Sequence, residues 1–296
     1  MGEATLLRPP SRRELRMRLL RLRKKARFSA AQAAKRIGVT QTTLTRIENG
    51  EIGIAKLVYV EILCDFYGAD PEETARLMEI AAAARTAPRA WWEGFPNGDG
   101  PPKWFETYLG MEDEAVAIDE YDVEVVGGLL QTADYAREVL SLGPMVGNEK
   151  DVDEQLRVRM QRQAILNRPE DGPRPRPTLR VVLNEAVLVR QLGGRAVMRR
   201  QLERLLADSE RDNVEVLVLP FSAGGHAGMS GGSFNVLRFP DPGDAGAVYS
   251  DQHSGALILE EEADVERHRL ILASVQASAL DVEGSRDLIR RVATGR

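Results

Sequence analysis

Residues 30–49 read AAQAAKRIGVTQTTLTRIEN, and the punctuation of this stretch decides the fold of the N-terminal region. Ala33, Ala34 and Ile37 share one helical face, Gly38 interrupts, and Val39, Leu44 and Ile47 resume the apolar spacing. Two short helices that meet at a turn need a small residue at their contact, a glycine to turn and a shared buried face, here supplied by Ala34, Gly38 and the apolar set. Phe28, Ser29 and Gln32 form a hydrophobic staple residue, an N-cap and its capping-box partner. Thr40 caps the next helix, with Val39 and Leu44 at staple positions. The spacing therefore predicts one helix from Ser29 to Gly38 and another from Thr40 to Asn49-Gly50.

Upstream, Leu15, Leu19, Leu22 and Ala26 predict a helix from about Ser11 to Ala26 with Arg and Lys on its other faces. Downstream, Ile54 to Tyr67 and Pro71 to Arg85 complete an all-helical module. With Leu44 and Ile47 turned inward, Gln41, Thr42, Thr45, Arg46 and Asn49 face outward. Gln pairs with adenine, Arg with guanine, and Thr offers a methyl to thymine, so Gln41, Thr42, Thr45 and Arg46 can read base edges in a major groove. The helix starts at Ser29 and Thr40, together with Asn49 and Arg16, suit phosphate oxygens.

This segment, ending in Arg-Ile-Glu-Asn-Gly at 46–50, resembles the Cro/phage-repressor (XRE) class of helix-turn-helix regulators over about residues 11–70. The resemblance implies a lambda-repressor-like all-α domain. It also implies base reading by Gln41, Thr42 and Arg46, and a salt bridge between Arg23 and Glu48 that joins the first and third helices. Ala30 departs from the pattern, because those repressors often carry a glutamine there that braces the reading helix.

Charge is divided along the chain. Net charge is −5, yet residues 1–90 hold 17 basic and 10 acidic side chains while residues 91–296 hold 23 and 35. A basic segment suited to a polyanion thus precedes an acidic body. The 296 residues suffice for two domains. One cysteine, Cys64, allows neither an internal disulfide nor a multi-cysteine zinc site. Apolar runs fall short of the roughly 18 residues that span a bilayer, and the N-terminus lacks a signal peptide's apolar segment. No membrane association and a cytoplasmic location are expected.

The Pro/Gly-rich run APRAWWEGFPNGDGPP divides the chain into a helix-turn-helix domain at 1–86, a linker at 87–102 and a second domain at 103–296. Trp91, Trp92, Trp104 and Phe105 are read as cement between domains or at a core edge rather than as an exposed binding patch. The second domain alternates. Strands are expected at about 115–126, 179–183, 214–219, 233–239, 247–252 and 256–259, and helices at 133–141, 152–167, 195–209 and 262–280, an α+β domain.

Segments including VVGGLLQTADYAREVL and VLPFSAGGHAGMSGGSF make the second domain similar to the domain of unknown function that follows such a helix-turn-helix in regulators of high-GC Gram-positive bacteria. That resemblance implies antitoxin-like regulators often encoded beside a small partner protein, and it supplies no catalytic residues. The Gly-rich loop 221–232 is expected to contact a ligand or partner through His226, Met229 and Ser230. Gly228 to Gly232 matches the G-x-S-x-G nucleophile elbow, but that motif needs a helix after it and a strand is expected here. His226, His253 and His268 form no metal-ligand pair, and neither metal nor cofactor is expected.

The reading is a non-enzymatic, sequence-specific regulator that binds double-stranded DNA as a homodimer, with an effector-sensing or partner-binding second domain. An antitoxin-like interaction module with DNA binding secondary is the first alternative. A DNA-tethered hydrolase built on Ser230 is the second.

Overall fold

Caps set the helix boundaries of the N-terminal region. The computed structural model describes residues 12–48, 56–86, 92, 103–142, 149–172, 174, 176–253 and 255–295, in two units, Met1–Arg89 and Ala90–Arg296. In the first unit, α1 (Arg12–Lys25), α2 (Ala30–Ile37), α3 (Gln41–Glu48), α4 (Leu57–Tyr67) and α5 (Pro71–Thr86) follow one another. Gly68, at φ 71°, closes α4 in the left-handed conformation. Asp70 opens α5 by accepting from the Glu73 amide at 2.8 Å, with Pro71 at the first helical position.

The core of this unit joins Ala33, Ala34, Leu44, Val60, Cys64 and Leu77. Small side chains on α2 let the helices approach, and Phe28 stacks on Phe66 at 4.1 Å over the edge. Cys64 is fully buried, and burial pushes its thiol up to about 11. It serves as a small core residue.

The second unit begins with α6 (Lys103–Glu114) and β1 (Ala117–Asp122), continues through α7 (Ala133–Ser141), α8 (Glu149–Arg162), β2 (Thr178–Asn184), α9 (Glu185–Val189), α10 (Gly194–Asp208) and β3 (Val214–Leu219), and ends with β4 (Phe234–Arg238), β5 (Ala247–Gln252), β6 (Gly255–Leu259), α11 (Glu262–Ser278) and α12 (Val282–Thr294). The strands form one mixed sheet in the order β3-β2-β1-β4-β5-β6. β1, β2 and β3 are parallel, with Ile118 beside Leu179 and Leu179 beside Val214, and β4 to β6 are an antiparallel meander. Helices separate the parallel strands, as parallel pairing requires.

Both sheet faces are covered, so strand residues alternate between two cores. Ile118, Val181, Val216 and Leu237 face one with Met198, Leu202 and Ile289, while Tyr121, Val182, Val236 and Val248 face the other with Val265, Leu272 and Val275 of α11. On edge strand β3, the Val218 amide donates to Ser285 Oγ and its carbonyl accepts from the Leu280 amide, both at 2.9 Å. The connection between the last two helices thus occupies an edge that would otherwise invite pairing.

Trp92 packs with Leu109 and Val158, and Trp104 and Phe105 lie against the larger core. These aromatics seal an edge of the second unit; Trp91 lies outside the described residues. Several elements differ from the sequence expectation. α6 and α9 are not among the expected helices; the strand expected over 115–126 stops at Asp122; the helix expected over 152–167 ends at Arg162 and passes into a 3-10 turn, Gln163–Asn167; and the helix expected to reach Leu280 ends at Ser278, after which Asp281 caps α12 through the Gly284 amide at 2.8 Å.

Candidate nucleic-acid interface

The turn between α2 and α3 is built as the residues dictate. Ser29 Oγ accepts from the Gln32 amide at 3.2 Å, and Gln32 Oε1 accepts from the Ser29 amide at 2.8 Å, completing the capping box. Gly38 takes φ 71° and ψ 32°, and the Val39 amide reaches back to the Ala34 carbonyl at 3.0 Å. Thr40 Oγ1 then accepts from the Thr43 amide at 3.1 Å and caps α3.

Leu44 and Ile47 are buried, and Gln41, Thr42, Thr45 and Arg46 are exposed on the opposite side of α3. The four expected base-reading side chains therefore share one solvent-facing surface. Glu48, at the end of this helix, is held twice. Arg23 donates to its two carboxylate oxygens from Nε at 2.6 Å and Nη2 at 2.7 Å, and to the Phe28 carbonyl from Nη1 at 2.9 Å. Arg16 donates from Nη1 to the Glu48 main-chain carbonyl at 2.8 Å.

This corrects the expectation for Arg16. Its side chain is only 8% exposed and serves the carbonyl end of α3, where a cation also meets the negative end of the helix dipole. A guanidinium placed so is not a surface phosphate contact. Exposed cations lie elsewhere: Lys24, Lys25 and Arg27 surround the approach to the Ser29 cap, with Arg27 at φ 60° turning the chain there. The run RLRKKAR ending two residues before Ser29 carried that signal. Ser29 and Thr40 are exposed at their helix starts; Asn49 lies outside the described residues.

In the second unit, His226, Met229 and Ser230 lie on or beside a short 3-10 turn, Ala227–Ser230. Met229 is 70% exposed, and Phe221 on the same loop 60%. Between them Gly228 is buried so tightly that a Cβ would sit 2.6 Å from Tyr121 Cε1 and 2.9 Å from Val275 Cγ2. His226 meets the Tyr121 ring edge-on, with Nδ1 buried and without a hydrogen-bond partner. After Gly232 the chain enters β4, so the arrangement around Ser230 lacks the elbow's following helix. His253 is exposed, while His268 Nδ1 lies 2.8 Å from the Asp264 carbonyl oxygen. Among the described residues no cluster of His, Cys, Asp or Glu is placed to hold a metal ion.

An exposed polar face on the second helix of a capped helix-turn-helix, joined to a mixed α+β domain, defines a helix-turn-helix DNA-binding regulator. A family model described as a helix-turn-helix domain matches residues 14–77. The chain belongs to the family described as Domain of unknown function (DUF5753), whose model matches residues 105–291. Neither the curated proteins nor the solved structures searched contain a match to this chain. Among the described residues no helix is long and apolar enough to cross a membrane.

Proposed function

We propose that the chain is a cytoplasmic, sequence-specific transcription regulator of the XRE type that binds a two-fold DNA site as a homodimer. Gln41, Thr42, Thr45 and Arg46 read base edges, and the N-terminal ends of α2 and α3, at Ser29 and Thr40, meet phosphates together with Lys24, Lys25 and Arg27. The single supporting observation is the exposed polar face of α3, held in place by the double grip on Glu48. Pairing two half-sites supplies the specificity that one small module lacks. In this reading the protein has no catalytic role, and the second domain answers to an effector or a small partner protein.

Selection of duplexes from a random pool by the full-length chain tests this. The expected result is enrichment of one inverted-repeat sequence, bound by two chains in sedimentation. Failure to enrich any sequence, or a single chain on the enriched site, contradicts it.

A second, antitoxin-like reading makes a small partner protein the main ligand. Exposed Phe221 and Met229 on a loop pinned by Gly228 favour it. Replacing both with Ser separates the two readings, because DNA binding then persists while partner binding is lost.

A further inference from the structure

Beneath α6 and α8, the sheet buries more negative charge than it pairs. Glu112 on α6 and Glu120 on β1 are each 1% exposed, and Asp122, two residues along the same strand face, is 7% exposed. Arg162 on α8 donates from Nε to Glu112 Oε2 at 2.6 Å and lies over the Phe105 and Tyr108 rings. Arg159 donates from Nη1 to Gln131 Oε1 at 2.9 Å. Neither arginine forms an ion pair with Glu120 or Asp122. Glu120 receives a long contact, 3.4 Å from Asn235 Nδ2, on Oε1, and its Oε2 has no donor. A buried carboxylate oxygen without a donor is costly, and the cost rises when a second carboxylate faces it.

The two carboxyl groups converge on Gly127. A methyl group on its Cα would sit 2.4 Å from Glu120 Oε2 and 2.9 Å from Asp122 Oδ2, so any larger residue there would have to push the carboxyl groups aside. The Gly127 amide donates to Asp122 Oδ2 at 2.8 Å. Next to it, a Cβ on Gly128 would meet Arg162 Nη1 at 3.0 Å, and the Gly128 carbonyl accepts from Gln163 Nε2 at 2.9 Å. The main chain of one loop is thus laid directly on the acid pair.

We propose that Glu120 and Asp122 share a proton and form a latch, on which the 123–131 loop is closed while the proton is held and from which it is released when the pair ionises. The shared hydrogen supplies the donor that Glu120 Oε2 lacks. Its loss sets two negative charges side by side under a backbone that offers them one amide.

Other charged or titratable groups near the pair act in both directions. Glu112 and, from β5, Asp251 oppose ionisation, as does Asp119 on the same strand, while Arg162 favours it. Tyr108, Tyr249 and Tyr135 are themselves held above the usual phenol range, chiefly by burial, and stay neutral. Burial, then Asp122, raises Glu120 well above the ordinary carboxylate range, and burial raises Asp122 to about 7. The latch therefore operates near neutrality. The loop leads into Thr132, the N-cap of α7, whose amide donates to buried Gln201 on α10 at 2.7 Å, so release loosens a joint between helices.

The test uses the full-length chain with 15N-labelled glycine, followed by NMR and hydrogen exchange from pH 5.5 to 9. The Gly127 amide resonance is expected to titrate with a midpoint near 7. Protection of residues 123–131, corrected for the intrinsic pH dependence of exchange, is expected to fall at least tenfold across that midpoint. Glu120→Gln carries an amide hydrogen in place of the proton, so the loop should stay protected to pH 9. A Gly127 resonance that does not titrate, or loop protection that is the same on both sides of neutrality, overturns the proposal. So does a midpoint that survives Glu120→Gln but disappears in Glu112→Gln, since the proton would then sit on α6. None of these outcomes depends on whether the first unit reads DNA.

Discussion

Arg23 and Glu48 meet in a two-pronged ion pair, with donor–acceptor distances of 2.6 and 2.7 Å and both side chains largely withdrawn from water. The pair joins the last turn of α1 to the last turn of α3, so the exposed face of α3 is oriented from behind by a contact that touches no ligand. Breaking such a pair strands one charge in a partly buried position. Glu48→Ala should destabilise the first unit by about 2 kcal/mol, read as a lower Tm for its thermal transition. Glu48→Gln, which keeps one acceptor for Arg23, should cost less.

Arg16 and the cations near Ser29 should separate in salt dependence. Each phosphate contact adds roughly 0.9 to the slope of log affinity against log salt. Lys25→Ala and Arg27→Ala should each flatten that slope by about 1. Arg16→Ala should lower thermal stability and weaken binding with the slope unchanged, because its guanidinium is engaged at the Glu48 carbonyl.

Ser29→Ala removes the hydroxyl that accepts from the Gln32 amide, while the Ser29 main-chain amide can still donate to Gln32 Oε1. A loss of about 1 kcal/mol is expected in chemical denaturation of the first unit. Ser29→Asp, which can still accept from the Gln32 amide, should recover most of it.

The acid pair on β1 gives the second unit a pH dependence opposite in sign to that of ordinary paired carboxylates. A carboxyl group raised on folding binds more protons in the folded than in the unfolded chain, so stability is full below the unfolded value and declines as pH rises through the folded one. With Asp122 moved from 3.8 to about 7 and Glu120 also raised well above the ordinary carboxylate range, the transition of the second unit should weaken as pH rises from about 4 through about 7. Asp122→Asn should flatten the profile in scanning calorimetry.

Gly228→Ala forces a methyl against Tyr121 and Val275. Overpacking of this kind costs about 1 to 3 kcal/mol. Gly225→Ala and Gly231→Ala meet nothing within 4 Å, so they should leave stability nearly unchanged in the same melt.

Local chemistry made much of the fold legible. Ser29, Gly38, Thr40 and Thr132 mark helix ends through hydrogen bonds within a few residues, and the helix 133–141 and strands 214–219 and 247–252 have the limits their patterns indicate. Periodicity fails where charge is buried. α6 hides Glu112 and Asp113 beside Tyr108 and Leu109, so its inward face does not read as apolar, and α6 goes unrecognised. Arg16 misleads in the same way, since its position on a basic helix gives no sign that it closes the end of α3. The hydrogen-bond partners of Glu120 and Asp122 come from β4 and the Gly127 turn, and pairing across the sheet is a property no local window contains. On the α3 face, inward Leu44 and Ile47 fix the outward set by geometry alone, and Gln41, Thr42, Thr45 and Arg46 appear where spacing places them.

Arg46→Ala tests most directly whether the outward face of α3 chooses the DNA sequence. Equilibrium binding of the full-length chain and this variant would be measured on the duplex selected by the wild type, on each single-base change of it, and on unrelated DNA at the same salt. A loss of about 1 to 3 kcal/mol is expected on the selected duplex, with relaxed preference at one base position and a much smaller change on unrelated DNA. Unchanged affinity together with unchanged base preference would contradict sequence choice by α3.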